Sequence, residues 1–165
     1  NKEELLNKIS ELIDQYVSRE KLELEDRNFR IDSNGWKKIT VAGRSYLENP
    51  EQDIWEILEG EYNGEQLFTW DAAMRETKKV GKRMPTDEEF DVIVKSKNDI
   101  KNISYVGYCH ADGSFYDVGS STGFWSSGES GSSTLVRNLR ASYSTVSRYL
   151  YSKERGFSVR CIKEI

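Results

Sequence analysis

The sequence has little of the chemistry that most enzymes need. It holds one histidine, His110, and two cysteines, Cys109 and Cys161, in 165 residues. Zinc sites draw paired Cys or His ligands from neighbouring positions, and these three residues do not supply such pairs. No second histidine stands near His110 to make it a metal ligand, and no pair of histidines with a carboxylate suggests a catalytic metal. Nucleophilic catalysis by serine or cysteine wants a base with its own orienting partner, and the sequence offers His110 none. The glycines are scattered among turns, so no phosphate-cradling loop is present. No apolar run approaches the length that crosses a bilayer, so membrane insertion is not expected. Nucleic acid is disfavoured too, because 24 basic and 28 acidic residues are interleaved and leave a formal charge of −4. The chain opens on Asn1 rather than methionine, so the lack of a leader peptide says nothing about location. The expectation is a non-enzyme with no catalytic residues, no metal and no cofactor. For the two cysteines, a disulfide and two free buried thiols both fit.

What the chain does have is enough length for one compact domain and a generous share of aromatic residues, each with a large area to bury. Leu5, Ile9, Leu12, Ile13, Tyr16 and Val17 recur at three- and four-residue steps, which predicts a helix within residues 1–25. Packing on its own domain is the reading taken for it; oligomerisation is the other. Turn chemistry at Asp32-Ser33-Asn34-Gly35 precedes a strand over Trp36–Val41, and Glu48-Asn49-Pro50 breaks the chain again. The segment from Ile54 to Leu58 fits either a short helix or a strand. Gln66–Phe68 reads as a strand, and Thr69 as the N-cap of a helix Trp70–Val80 that Gly81 ends. Thr86 with Glu89 forms a capping box for a second helix, whose buried face is Phe90, Ile93 and Val94. Capping and the helix dipole account for Asp87, Glu88 and Glu89 without a catalytic role. Strands are then predicted over Ile103–Cys109 and Phe115–Val118 around a turn, with turn chemistry again at Gly119–Thr122. A further strand starts at Phe124, and the last, Gly156–Ile162, should have one buried face. Two helices followed by short strands define an α+β chain.

The stretch Ser126–Arg155 has an unusual make-up, with nine serines and three tyrosines. A flexible linker would not carry Leu135, Val136, Leu139, Val146 and Leu150 between two strands. Tyrosine among small polar residues is instead the composition of a binding surface. The ring gives contact area at low entropic cost, and serine gives adaptable hydrogen bonds. The candidate ligand-binding residues are Ser130, Ser132, Ser133, Leu135, Val136, Asn138, Arg140, Ser142, Tyr143, Ser144, Ser147, Tyr149 and Tyr151. A structural polar sheet with loops is the other reading of the same stretch.

"GEQLFTWDAAMRETKKVGKRMPTDEEF" (residues 64–90), "GFWSSGES" (123–130) and "RGFSVRC" (155–161) resemble the formylglycine-generating-enzyme branch of the C-type lectin fold. The likeness covers roughly residues 39–165 and leaves the first helix outside. Within that branch, the frame of Trp125, Ser126, Ser127, Arg137, Leu139, Val146, Arg148, Lys153, Gly156, Phe157, Val159 and Arg160 is similar to the variable proteins of diversity-generating retroelements, found in phages, archaeal viruses and microbes. In that family, reverse transcription rewrites adenines near the 3′ end of the gene, and the fold displays the altered residues to a ligand. Randomised adenines in an AAC codon yield Ser, Tyr, Thr, Asn, Arg, Gly, Leu or Val, among others. They never yield Trp, Lys, Glu, Gln or Met. The candidate residues fall in the permitted set, whereas Glu129, Lys153 and Glu154 do not.

The resemblance implies a C-type lectin fold in which two helices pack on short antiparallel sheets, with an extra N-terminal helix. It divides the chain into residues 1–25 and a lectin-like domain, 26–165, whose variable segment is 126–155. It implies receptor recognition of a protein or glycan on a host or neighbouring cell, from a virion or cell surface. An invariant adhesion module of the same fold is the alternative, and a diverged enzyme of the formylglycine-generating branch is a further one. The enzyme relatives use a cysteine pair in the closing half, where this chain has only Cys161. The calcium-binding triplets of lectins, "EPN" or "QPD" followed by "WND", are absent, so calcium-independent binding is expected.

Overall fold

The computed structural model describes residues 1–20, 22–128, 131 and 133–164, with the backbone alone for 14–20 and 164. Helix α1 spans Lys2–Glu20 and strand β1 Leu22–Leu24. Strands β2 (Lys37–Val41), β3 (Arg44–Glu48), β4 (Ile54–Ile57) and β5 (Gln66–Phe68) form one antiparallel sheet in chain order. Helices α2 (Trp70–Lys79) and α3 (Asp87–Ile93) follow, then the short hairpin β6 (Tyr108–Cys109) and β7 (Phe115–Tyr116). Strands β8 (Ser121–Trp125), β9 (Ser133–Arg140) and β10 (Val146–Ser152) make a second antiparallel sheet with β9 in the middle. Strand β11 (Ile162–Glu164) returns to pair antiparallel with β1. The chain is therefore α+β, with three α-helices and several small antiparallel sheets among the described residues. No described helix is long and apolar enough to cross a membrane.

The two body helices form for the reasons their sequences give. The Thr69 side chain accepts from the Ala72 N–H, and Gly81 takes a φ of 71° just past the α2 end. Both halves of the Thr86/Glu89 capping box are present on α3. Three apolar clusters share the core. The largest joins Phe68 and α2 to Trp125, Val136, Phe157 and Val159. A second packs α3 through Phe90 and Val94 against Phe124 and Leu139. The third lies around Trp55, with Tyr46, Leu67 and Cys109.

Several expectations change. Segment 54–57 is a strand, fully buried. The strand expected over 103–109 shrinks to Tyr108–Cys109, and its partner to Phe115–Tyr116, while Ser121 and Thr122 belong to β8 rather than a turn. The closing segment 156–162 is not the continuous strand expected: it makes isolated bridges at Gly156, Phe157 and Ser158, enters regular strand only at Ile162, and is buried throughout instead of on one face. It threads between the two larger sheets: Phe157 exchanges both backbone hydrogen bonds with Phe68, and Ser158 bonds to Gly123 and Trp125. Gly156 fits there because a Cβ would stand 2.3 Å from Cys109 Sγ and 2.9 Å from the Trp55 ring. Cys109 and Cys161 are both free and buried. Burial pushes the Cys161 thiol up to about 12, and the Cys109 thiol well above its ordinary value.

Helix α1 forms as its periodicity predicts, yet its described apolar side chains do not pack on the body. Leu5, Leu6, Ile9, Leu12 and Ile13 are all exposed. The side chains of Tyr16 and Val17 lie outside the described residues. Strand β1 pairs with β11, so residues 22–24 belong to the body, and the helical appendage stops short of the boundary expected at residue 25.

Candidate ligand-binding face

The β8–β9–β10 sheet has two faces, fixed by register. Leu139 pairs with Val146, Arg137 with Arg148 and Leu135 with Leu150, which places these side chains on the face toward α3. The alternate set, Val136, Asn138 and Arg140 on β9 with Ser147, Tyr149 and Tyr151 on β10, lies on the other face.

The α3 face is anchored by charge. Arg137 Nη2 donates to Asp87 Oδ1 at 2.6 Å, to the Asp87 carbonyl at 2.9 Å and to Asp91 Oδ1 at 3.0 Å. Arg148 Nη1 reaches the other Asp87 oxygen at 2.8 Å. The Arg137 guanidinium also lies over the Phe90 ring. The capping box that starts α3 thus sets Asp87 where it holds two strands. At the β8 end, Trp125 Nε1 donates to the Phe68 carbonyl at 2.7 Å, Trp70 Nε1 to the Ser126 carbonyl at 2.9 Å, and Ser126 Oγ to the Leu135 carbonyl at 2.9 Å. Thr134 Oγ1 donates to the Gly128 carbonyl. A cavity of about 330 Å³ opens beside this anchor, lined by Asp87, Thr134, Leu135 and Leu150 among others.

The other face carries a run of aromatic rings from core to solvent. Trp125 meets Phe157 edge-on at 4.9 Å between centroids, and Tyr108 stacks on Phe157 at 5.3 Å. Tyr151 covers Phe157 at 4.8 Å and leans on Tyr108 at 6.1 Å. Outside these lie Tyr149 at 6.3 Å from Tyr151, Tyr116 at 5.7 Å from Tyr108, and His110 at 4.5 Å from Tyr116. The Arg155 guanidinium sits over both Tyr151 (5.2 Å) and Tyr108 (5.9 Å). Burial, more than any neighbouring charge, raises the Tyr151 hydroxyl above its ordinary pKa.

The candidate residues therefore do not all reach solvent together. Arg140, Tyr149 and Tyr151 share the aromatic face with the half-buried Ser147. Ser142, Tyr143 and Ser144 are exposed on the turn that joins β9 to β10, Tyr143 at 60%. Ser133 and Leu135 point to the α3 side, and both are half-buried. Val136, with no exposed surface, and Asn138, at 6%, sit inside the sheet and do not present themselves to a ligand. Central strand β9 is covered on both faces there, whereas β10 is an edge. Ser130 and Ser132 lie outside the described residues. The composition of Ser126–Arg155 gave no sign of Tyr108, His110 and Tyr116, which the β6–β7 hairpin adds to the face from outside that stretch. Their only trace in the sequence is an excess of aromatic residues on one short hairpin.

No group of His, Cys, Asp and Glu able to hold a metal ion occurs among the described residues. Comparison with known protein families, with curated proteins and with solved structures finds no match for this chain.

Proposed function

We propose that this chain is a ligand-binding protein of the C-type lectin fold, one that resembles the variable proteins of diversity-generating retroelements and displays exchangeable side chains on its β9–β10 hairpin. One observation carries the reading. On this hairpin, side chains held by the body stand beside side chains that reach solvent at the end of β9, on the turn and on edge strand β10. Arg137 and Arg148 end on Asp87, and Leu139 lies in the core, while Arg140, Ser142, Tyr143, Ser144 and Tyr149 stand in solvent. Exchange at the second set leaves the packing of the first intact, which is what a face built to vary requires. The frame residues Trp125, Ser126, Phe157 and Arg160 are all buried, and the two capped helices on small antiparallel sheets support the proposed fold.

The ligand is a protein or glycan on a host or neighbouring cell, met at a virion or cell surface. An enzyme of the formylglycine-generating branch is a weaker reading. Its chemistry needs an accessible thiolate, and both thiols here are buried with raised pKa values. A thiol-oxidation assay on cysteine peptides tests that reading directly, and turnover would revive it. Calcium should leave the melting temperature unchanged.

The deciding experiment is deep sequencing of the 3′ end of the gene across a population of its source. Substitutions are expected to cluster in the 126–155 codons, at the exposed positions and not at Trp125, Arg137, Leu139 or Phe157. Variation spread evenly along the gene would remove diversification and leave a fixed adhesion module.

A further inference from the structure

The two faces of the β8–β10 sheet treat their arginines differently. On the α3 side, Arg137 and Arg148 both end on carboxylates. On the aromatic side, Arg155 rests over Tyr108 and Tyr151, and among the described residues neither it nor Arg140 has an ion pair or a side-chain hydrogen bond. A guanidinium lying over a ring offers its face to the π-system and keeps its N–H donors free at the edge. That planar fork fits a carboxylate with two parallel hydrogen bonds. Ordered tyrosine rings around it shield such a pair from water.

The make-up of this face narrows the ligand further. Two cavities nearby are lined by other residues, one by Leu135 and Leu150 beside α3, another by Trp55, Asp71 and Lys153. A surface of tyrosines with an arginine among them has the make-up of a protein–protein hot spot.

We propose that Tyr108, Tyr116, Tyr149 and Tyr151, with Arg155, form one face for a protein partner that presents an acidic side chain beside an aromatic or apolar one. The rings take the apolar part, Arg155 takes the carboxylate, and Arg140 adds attraction from the rim. This rests on the reading of the β9–β10 hairpin as a ligand face and adds a part outside it. Tyr108 and Tyr116 come from the β6–β7 hairpin, beyond the segment 126–155, and stay the same whatever the segment becomes. The apolar part of the face is thus fixed, and Arg155, at the last position of the segment, supplies the acidic preference.

Biolayer interferometry on the whole chain tests this, with an immobilised random copolymer of glutamate and tyrosine, polyglutamate, and polygalacturonate as probes. The chain's own charge of −4 opposes general adsorption to polyanions. The copolymer is expected to bind most tightly, and Arg155→Gln and Tyr116→Ala each to weaken it by about tenfold. Tyr116 is exposed at 43%, so its variant should keep the fold, which an unchanged melting temperature checks. Tyr149→Ala is the third variant. If it alone weakens binding, the hairpin reading survives and the acidic-partner face does not. Equal or stronger binding to polygalacturonate would overturn the protein partner in favour of an acidic glycan. No binding to the copolymer, or binding that none of the three variants affects, would overturn the proposal as well.

Discussion

Arg160 carries a full charge with no exposed surface, and its surroundings explain how it survives there. Its guanidinium donates to the Glu25 and Lys101 carbonyls at 3.1 and 2.7 Å, and to Asn28 Oδ1 at 2.9 and 2.7 Å, while it lies over Phe124. Burial still pulls its pKa down to about 10, since no carboxylate touches it. The residue ties the segment after β1 and the loop after α3 to the closing segment. Replacing it by methionine removes the donor to four acceptors, the Asn102 carbonyl included, and is expected to cost about 3 kcal/mol. Tyr149, exposed at 47%, is the opposite case. Its change to serine should move stability by less than about 0.5 kcal/mol. Urea unfolding of the two variants beside the parent measures both, and a large loss at Tyr149 would mean that the hairpin face belongs to the fold rather than to a ligand.

Among the elements, α3 links local capping to the site. Glu89 accepts from the Thr86 N–H and pairs with Arg83 at 2.6 Å. The Arg83 hydrogen bond, ahead of an opposing burial effect, holds its carboxyl below the usual range. A lowered acid pKa contributes stability that is complete above the unfolded-state value and lost as pH falls through the folded one. The parent should therefore lose more stability between pH of about 6 and about 3 than Glu89→Gln, which keeps the cap but not the charge. Equal acid losses in the two would rule out this role. The helices were legible in the sequence because caps and helix stops are local: Thr69, Gly81, Thr86 and Glu89 all do what their positions predict. The β9–β10 hairpin was legible as a surface by composition, though not residue by residue. Val136 and Tyr149 face each other across the ladder, yet one is core and the other solvent, because β9 is central and β10 an edge. Codon sets and polarity carry no information about that difference. The closing segment misled for a similar reason. Polar Ser158 and Arg160 looked like a solvent face, but both sheets cover the segment, and Arg160 finds its partners inside. Tyr108 reaches the site through contacts with Tyr151 and Phe157, distant in sequence, and Tyr116 joins it through Tyr108, which no local pattern reports.

At the scale of the whole molecule, α1 is the element whose apolar side chains the fold leaves unused. Leu5, Leu6, Ile9, Leu12 and Ile13 are between 44% and 59% exposed, and none belongs to a core cluster. Each such side chain, about half exposed, forgoes roughly half of the about 1.5–3 kcal/mol that full burial gives. Leu5, Ile9 and Leu12 step by four and three, the seam of a coiled coil, and Leu6 and Ile13 widen the stripe beside it. That spacing is one a second copy of the same helix would complement. The double variant Leu5→Glu, Leu12→Glu separates the two roles the helix could have. Its expected effect is a fall in sedimenting mass to that of one chain, with the melting temperature of the body lowered by less than about 2 °C, because those side chains support no part of the core. A mass that stays at one chain in both proteins would remove the assembly role. A large fall in melting temperature would instead return α1 to the domain it was first expected to pack against.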